Sequence, residues 1–356
     1  MGFAILRAFG LASKTTLKRK RLCGLCVGKK SVRCPLRLFR KGLSDCDKAY
    51  RRAQCNPGII FMLLGASMKR MSKKVDSLNK KEISVALAGN PNVGKSTLFN
   101  SLTGMSRHTV NRAAKTVSVA TSEVAVRGNI YSIADIPVTY SLLSHSHEDE
   151  VVRNYICFGG ADVTVAVCDA ASIENSLGLV LQIIEARGRV VVCVNLTDEA
   201  ERLRIKIDIA RLSELLGVPT VAVVARKKRT LRRLFSELES YSSCCSASEY
   251  KIKYPEHIEH AVKIVEQVLK KYDTGGVSAR WLALRLVEGD RDMSREISEK
   301  LGIDISGEPI YSAVVSAAEY LFRVGMDSES YKDAVVSAII GEAESICGVL
   351  SSRISR

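Results

Sequence analysis

No stretch of the 356-residue chain approaches the run of about 18–20 apolar residues that a membrane-crossing helix needs. The longest candidate, Ile59–Met68, is interrupted by Gly65 and Ser67. A secretory leader is not expected, because Met1-Gly-Phe-Ala-Ile-Leu-Arg7 carries its charge after a short apolar patch, the reverse of the required order. Five of the 11 cysteines lie within residues 1–80, and the other six are scattered singly or as the pair Cys244-Cys245 with no framework spacing, as expected of a reducing cytosol. Acidic residues are almost lacking from residues 1–80, with 3 against 20 Lys+Arg, while the remainder holds 35 against 33. The net charge of +15 therefore belongs to one N-terminal segment, ahead of a near-neutral globular protein. The chain reads as cytoplasmic, either soluble or peripheral on the inner face of the cell membrane.

What is present falls into three parts: a basic, cysteine-containing segment (1–80), an α/β domain (81–241) and a helical domain (255–352). In the first, Lys14–Arg21 and Lys29–Lys41 are dense basic runs, read as a solvated arm with nucleic acid or an anionic membrane as the sharper alternatives. Cys23-x-x-Cys26, followed by Cys34 and Cys46 or Cys55, has irregular spacing and no histidine, which argues against a zinc knot. Met68 and Met71 stand close ahead of the first expected strand, so the upstream segment reads as an appended module or as no part of the working protein.

From residue 82 strands and helices alternate. Strands are expected at 83–87, 117–126, 129–135, 163–169, 189–195 and 220–224, and helices at 95–103, 148–158, 173–185, 208–216 and 231–239. Val163-Thr-Val-Ala-Val-Cys168 and Val190-Val-Val-Cys-Val194 are nearly continuous apolar runs, the mark of strands covered on both faces. The expected fold is a doubly wound, mostly parallel α/β sheet followed by a small all-α domain, whose helices are read at 257–272, 278–288, 294–301, 311–323 and 332–351. In Arg280-Trp281, the tryptophan with Leu284 and Leu286 or Val287 forms a core stripe.

One stretch organises the α/β part. Gly89-Asn90-Pro91-Asn92-Val93-Gly94-Lys95-Ser96-Thr97 fits G-x-x-x-x-G-K-[ST], set between a strand and a helix. Backbone N–H groups at such a loop and helix start face phosphates; Lys95 would reach the β- and γ-phosphates and Ser96 would hold Mg²⁺. Four further stretches follow in the order of a GTPase. Asn195-Leu-Thr197-Asp198 fits N-x-x-D, whose carboxylate accepts two hydrogen bonds from guanine. Val224-Ala225-Arg226 stands at the next strand end, where a backbone amide contacts the base. Thr116 is placed as the switch threonine on Mg²⁺, and Asp135-Ile-Pro-Val138 takes the place of D-x-x-G. Lys95, Thr116 and Asp135 are the expected catalytic set. No side chain stands out as a general base, as suits phosphoryl transfer driven by positioning. His108, His145 and His147 read as surface residues rather than metal ligands.

At these residues the chain resembles the cytosolic part of FeoB, the bacterial ferrous-iron transport GTPase. The resemblance rests on Gly89–Asn100, Asp135-Ile-Pro-Val-Thr-Tyr-Ser-Leu142, Asn195-Leu-Thr-Asp-Glu-Ala200, Lys206–Pro219 and Arg280–Asp290. It implies a slow GTPase using GTP/GDP and Mg²⁺, with a helical spacer that influences GDP binding and Asn92 as the candidate for a K⁺ ion. It also implies an Fe²⁺ permease; as the sequence ends at Arg356 without one, the expectation is a separate membrane partner or, alternatively, a truncated remnant. Nothing in the sequence sets an oligomeric state.

The departures lie in the switches. Val138 replaces a glycine whose N–H turns onto the γ-phosphate, often through torsions that a β-branched residue resists. Asn111-Arg-Ala-Ala-Lys-Thr116 replaces Asn-Trp-Pro-Gly-Val-Thr, and Lys228 and Thr230 replace small residues or glycine after the base loop. The expectation is nucleotide binding with weakened turnover. Two alternatives are a nucleotide-binding protein with little or no hydrolysis, and an RNA- or ribosome-associated GTPase using the basic arm.

Overall fold

In a computed structural model, the described residues are 81–104, 110–114, 117–143, 146–244, 248 and 250–351. The readings made on the basic arm, the Cys23–Cys55 cluster, His108, Thr116 and His145 lie outside them. Seven strands form one sheet: β1 (Glu82–Gly89), β2 (Val110–Ala114), β3 (Val117–Val126), β4 (Asn129–Asp135), β5 (Val163–Asp169), β6 (Val190–Asn195) and β7 (Thr220–Ala222), in the order β2-β3-β4-β1-β5-β6-β7. β3 runs antiparallel to both β2 and β4, and the other pairings are parallel. This is the mostly parallel, doubly wound sheet that the sequence leads one to expect, with β2 added at one edge.

The apolar runs are divided by the pleat. Val163, Val165 and Val167 of β5, with Val191 and Cys193 of β6 and Ile83, Val85 and Leu87 of β1, face one core. Ala166 and Cys168, with Val190, Val192 and Val194 and Ala86 and Ala88, face the other. Successive strand residues point to opposite faces, so a run buried on both sides has no polar alternation. The first core is closed by α1 (Lys95–Thr103) through Leu98, Phe99 and Leu102, and by α6 (Lys228–Cys244) through Leu231, Leu234, Phe235, Leu238 and Tyr241. The second is closed by α2 (His147–Phe158), α3 (Ile173–Arg187) and α5 (Ile209–Leu216). The short α4 (Thr197–Arg202) joins β6 to α5.

Helices α7 (Glu256–Leu269), α8 (Ala279–Val287), α9 (Arg291–Leu301), α10 (Ile310–Arg323) and α11 (Ser328–Ser351) extend that second core. Trp281, Leu284, Leu286 and Val287 are all buried in it. The helical part is latched to the end of α3 by a buried polar network. Arg280 donates Nε to Glu185 Oε1 at 3.2 Å, and Nη1 and Nη2 to the two oxygens of Glu259 at 2.7 Å each. Tyr254 Oη donates to Glu185 Oε2 at 2.6 Å. Such a network holds when every member is satisfied, and it explains why an arginine precedes the buried tryptophan. Among the described residues, no helix is long and apolar enough to cross a membrane.

Candidate nucleotide site

The nucleotide motifs that fall within the described residues, 89–97, 135–138, 195–198 and 224–226, lie at one edge of the sheet. β1, β4 and β6 run parallel, with Leu87 opposite Asp135 and Asp169 opposite Asn195, so the loops leaving β1, β4, β6 and β7 emerge together at the strands' carboxyl ends. In open α/β sheets that edge is where ligands bind. The antiparallel β3 reaches the same edge from the other direction, with Ala120 opposite Asp135.

The phosphate-type loop needs its glycines for room as well as for torsion. Gly94 has φ of 77°, and a Cβ there would lie 2.5 Å from Asn195 Nδ2; a Cβ on Gly89 would lie 2.8 Å from the Val167 carbonyl oxygen. The space beside Gly94 is used: Asn195, fully buried, donates from Nδ2 to the Val93 carbonyl at 3.0 Å. That bond joins the loop after β1 to the end of β6. Asn90 ties the same loop to the first turn of α3 by donating from Nδ2 to the Asn175 carbonyl at 3.0 Å. Asn92 is exposed, with φ of 67°. Pro91 is half-buried and Thr97 exposed.

Lys95 opens α1 and is 6% exposed. Its ammonium pairs with Asp135 Oδ1 and the Ile136 carbonyl. Ser96 donates from its hydroxyl to the other Asp135 oxygen at 3.4 Å. A lysine, a hydroxyl and a carboxylate therefore converge where the loop meets the end of β4. Two hard oxygen donors side by side are the donor set that suits Mg²⁺.

On the β6–β7 side, Asp198 sits in the first turn of α4 with its side chain 31% exposed, 3.6 Å from Arg202. Thr197 Oγ1 donates to the Val223 carbonyl at 3.3 Å. The loop after β7 is closed by a residue that the sequence marks only as a departure. Thr230 accepts the Val224 N–H at 3.2 Å, and its hydroxyl faces the Lys227 carbonyl at 2.8 Å and the Val224 carbonyl at 2.9 Å. A threonine in the first helical turn was the available signal.

The segment after Asp135 is anchored at both ends. Ile136 donates its N–H to the Leu87 carbonyl at 3.2 Å. Buried Thr139 donates to Asp149 Oδ1 at 2.6 Å, and Gln182 Oε1 accepts from the Ser141 hydroxyl (2.9 Å) and the Leu142 amide (2.7 Å). Between the anchors Val138 is 45% exposed. It is not among the positive-φ residues, which apart from glycines are Asn92, Arg127, Leu196 and Arg204 among the described residues. The valine is unstrained in this conformation. The buried thiols lie outside this chemistry: desolvation pushes Cys157 and Cys168 up to about 12.

Comparison with known proteins places these features in a family. A family model described as ferrous iron transport protein B matches residues 83–238, and one described as the FeoB cytosolic helical domain matches residues 254–348. The Fe(2+) transporter FeoB of Escherichia coli strain K12 is 31% identical over 214 residues, covering 59% of this chain and 27% of that protein. The Salmonella typhimurium protein of the same name is 30% identical over 214 residues. The matched part thus spans 27% of the length of these curated relatives. Among solved structures, the cytosolic domain of the T. maritima FeoB iron transporter in its GMPPNP form aligns with a TM-score of 0.62 at 28% identity, covering 75% of this chain and 98% of that one. An S. thermophilus NFeoB variant bound to GDP·AlF4⁻ aligns with a TM-score of 0.58 at 27% identity, covering 74% and 99%.

Proposed function

Because this chain belongs to the FeoB family, carrying its G domain and its cytosolic helical domain, we propose that it is a guanine-nucleotide switch that binds GTP and GDP and hydrolyses GTP slowly. The observation that supports this most is the Asn195–Val93 bond, which fixes the phosphate loop against the base-reading strand end. Backbone N–H groups of residues 89–97 cradle the phosphates, at the start of a helix that favours anions. Lys95 leaves Asp135 for the β- and γ-phosphates. Ser96, Asp135 and Thr116 would hold Mg²⁺, which would neutralise charge developing on the phosphate oxygens. Asp198 accepts from the guanine N1–H and 2-amino group. The Val224 amide is engaged by Thr230, so the amide that meets the base belongs to Ala225 or Arg226. Asn92, exposed in the loop, is the residue we assign to K⁺. Attack of water on the γ-phosphorus then depends on position and charge rather than on a protein base.

The switch serves ferrous-iron movement by acting on a membrane permease. Support comes from the relatives' identity as Fe(2+) transporters. Titration with GTP, GDP and ATP by calorimetry, followed by phosphate release in KCl against NaCl, tests the nucleotide reading. Guanine-selective binding with K⁺-stimulated release is expected; absence of nucleotide binding would overturn it. A second reading, binding with little hydrolysis, is favoured by Val138 at the D-x-x-G position, and guanine binding without phosphate release would establish it.

A further inference from the structure

Beyond residue 80 the chain is nearly neutral, yet six cations stand within eight residues: Arg226, Lys227, Lys228, Arg229, Arg232 and Arg233. All six are exposed. Among the described residues none of them makes an ion pair, although acid–base pairs are common elsewhere on the surface. The four on α6 lie within ~140° of helical arc, because residues 228, 229, 232 and 233 share one side at 3.6 residues per turn. The opposite side, Leu231, Leu234, Phe235, Leu238 and Tyr241, is buried against the sheet. Arg127, from the β3–β4 turn, donates to Ser236 at 3.4 Å and brings a further cation to the same side. The nearby Glu239 is engaged by Asn129 at 3.1 Å.

We infer that this basic face of α6 docks on an anionic phospholipid surface. The charge is complementary to such a surface, and four to eight Lys/Arg on an amphipathic helix have the density that binds anionic headgroups. RNA fits the face less well. Both aromatics of α6, Phe235 and Tyr241, are buried, so no exposed ring on this helix offers a base a platform to stack on. The preference for lipid over RNA also rests on the proposed work beside an iron permease; the charge geometry does not. Arg226 and Lys227 continue the face into the base loop, so a bound headgroup layer would lie against the nucleotide's base edge.

The test is vesicle co-sedimentation of the full chain with phosphatidylglycerol or phosphatidylcholine vesicles, without nucleotide. Phosphatidylglycerol vesicles should bind, and binding should weaken steeply with salt. Each cation near such a surface contributes about fivefold to partitioning, so K228E/R229E/R232E/R233E should weaken binding at least ~100-fold. A charge-matched control on the helical part, K263E/K271E/R291E/K300E, should stay within about threefold of wild type and shows whether net charge alone decides. Circular dichroism verifies that both variants are folded. Equal losses in the two variants, wild-type binding by the α6 variant, or no binding to phosphatidylglycerol would each overturn the proposal. So would an α6 variant that loses RNA binding while keeping its vesicles. Failure of nucleotide binding in the calorimetric test leaves this result standing, which separates the two.

Discussion

Gly94→Ala tests the link between the phosphate loop and the base-reading strand. The added methyl meets two obstacles. The backbone is held at φ of 77°, in the left-handed region, which costs a non-glycine residue about 1–2 kcal/mol. The new Cβ would also stand 2.5 Å from Asn195 Nδ2, so the asparagine must move and its bond to Val93 is lost, a further ~0.5–1.5 kcal/mol. The sum is about 1.5–3.5 kcal/mol. Asn195→Ala removes the same bond and leaves the Val93 carbonyl buried without a partner, about 1–3 kcal/mol. The bond can be lost only once, so the double variant should fall short of additivity by about 1 kcal/mol. Urea denaturation of the four proteins measures the cycle, and GDP titration should show both single variants weakened. A cost for Gly94→Ala below about 0.5 kcal/mol, or full additivity, would refute the reasoning.

Thr230→Val keeps the shape but removes the hydroxyl that closes the base loop; an orphaned amide costs about 1–3 kcal/mol, and guanine affinity should drop about tenfold while Thr230→Ser retains it. Arg280→Ala should destabilise by about 3–5 kcal/mol, because Glu185 is left as a buried unpaired carboxylate. Burial already pushes the Glu185 carboxyl up. A folded-state pKa above the unfolded one favours the protonated fold, so that variant should regain stability as pH falls from 7 toward the ordinary carboxylate range. Denaturation at pH 7 and 5 checks the sign. Cys157 and Cys168, with thiols held near 12, should resist iodoacetamide at pH 8 in the folded protein and react on unfolding, as peptide mass spectrometry would show.

The sequence was legible wherever burial left a pattern. The runs at 163–168 and 190–194 announced two-sided strands, and the helical periodicity beyond 255 announced the helices that extend the second core. β2 was hidden because Val110-Asn-Arg-Ala-Ala114 has little strand propensity and exists through its pairing with β3. α4 was hidden because its residues form the end of the base motif. The start of α6 was read at Leu231 rather than Lys228, since cations carry no apolar period. At the candidate site, motif spacing pointed to residues but not to their partners. Asn195 with Val93, Asn90 with Asn175, and Gln182 with Ser141 and Leu142 are separated by 102, 85 and 41 or 40 positions, and only the fold brings them together.

The division between an intact cradle and altered switches has a mechanical reading that Val138→Gly can decide. On the proposed function the cradle works with backbone N–H groups, and its glycines at 89 and 94 stand where a Cβ would clash. In the proposed switch, the segment after Asp135 has instead to move to bring an amide onto the γ-phosphate. Its anchors are the Ile136 amide on Leu87 and the Thr139 hydroxyl on Asp149, which leave Pro137 and Val138 as the span between them. Proline fixes φ and valine restricts its own backbone, so the span is stiff even though Val138 is exposed and unstrained. Glycine at 138 would free the span without touching either anchor. Single-turnover phosphate release should then rise at least ~10-fold, equivalent to about 1.4 kcal/mol of barrier, with GDP affinity unchanged within about twofold. An unchanged rate would mean that the valine does not limit turnover.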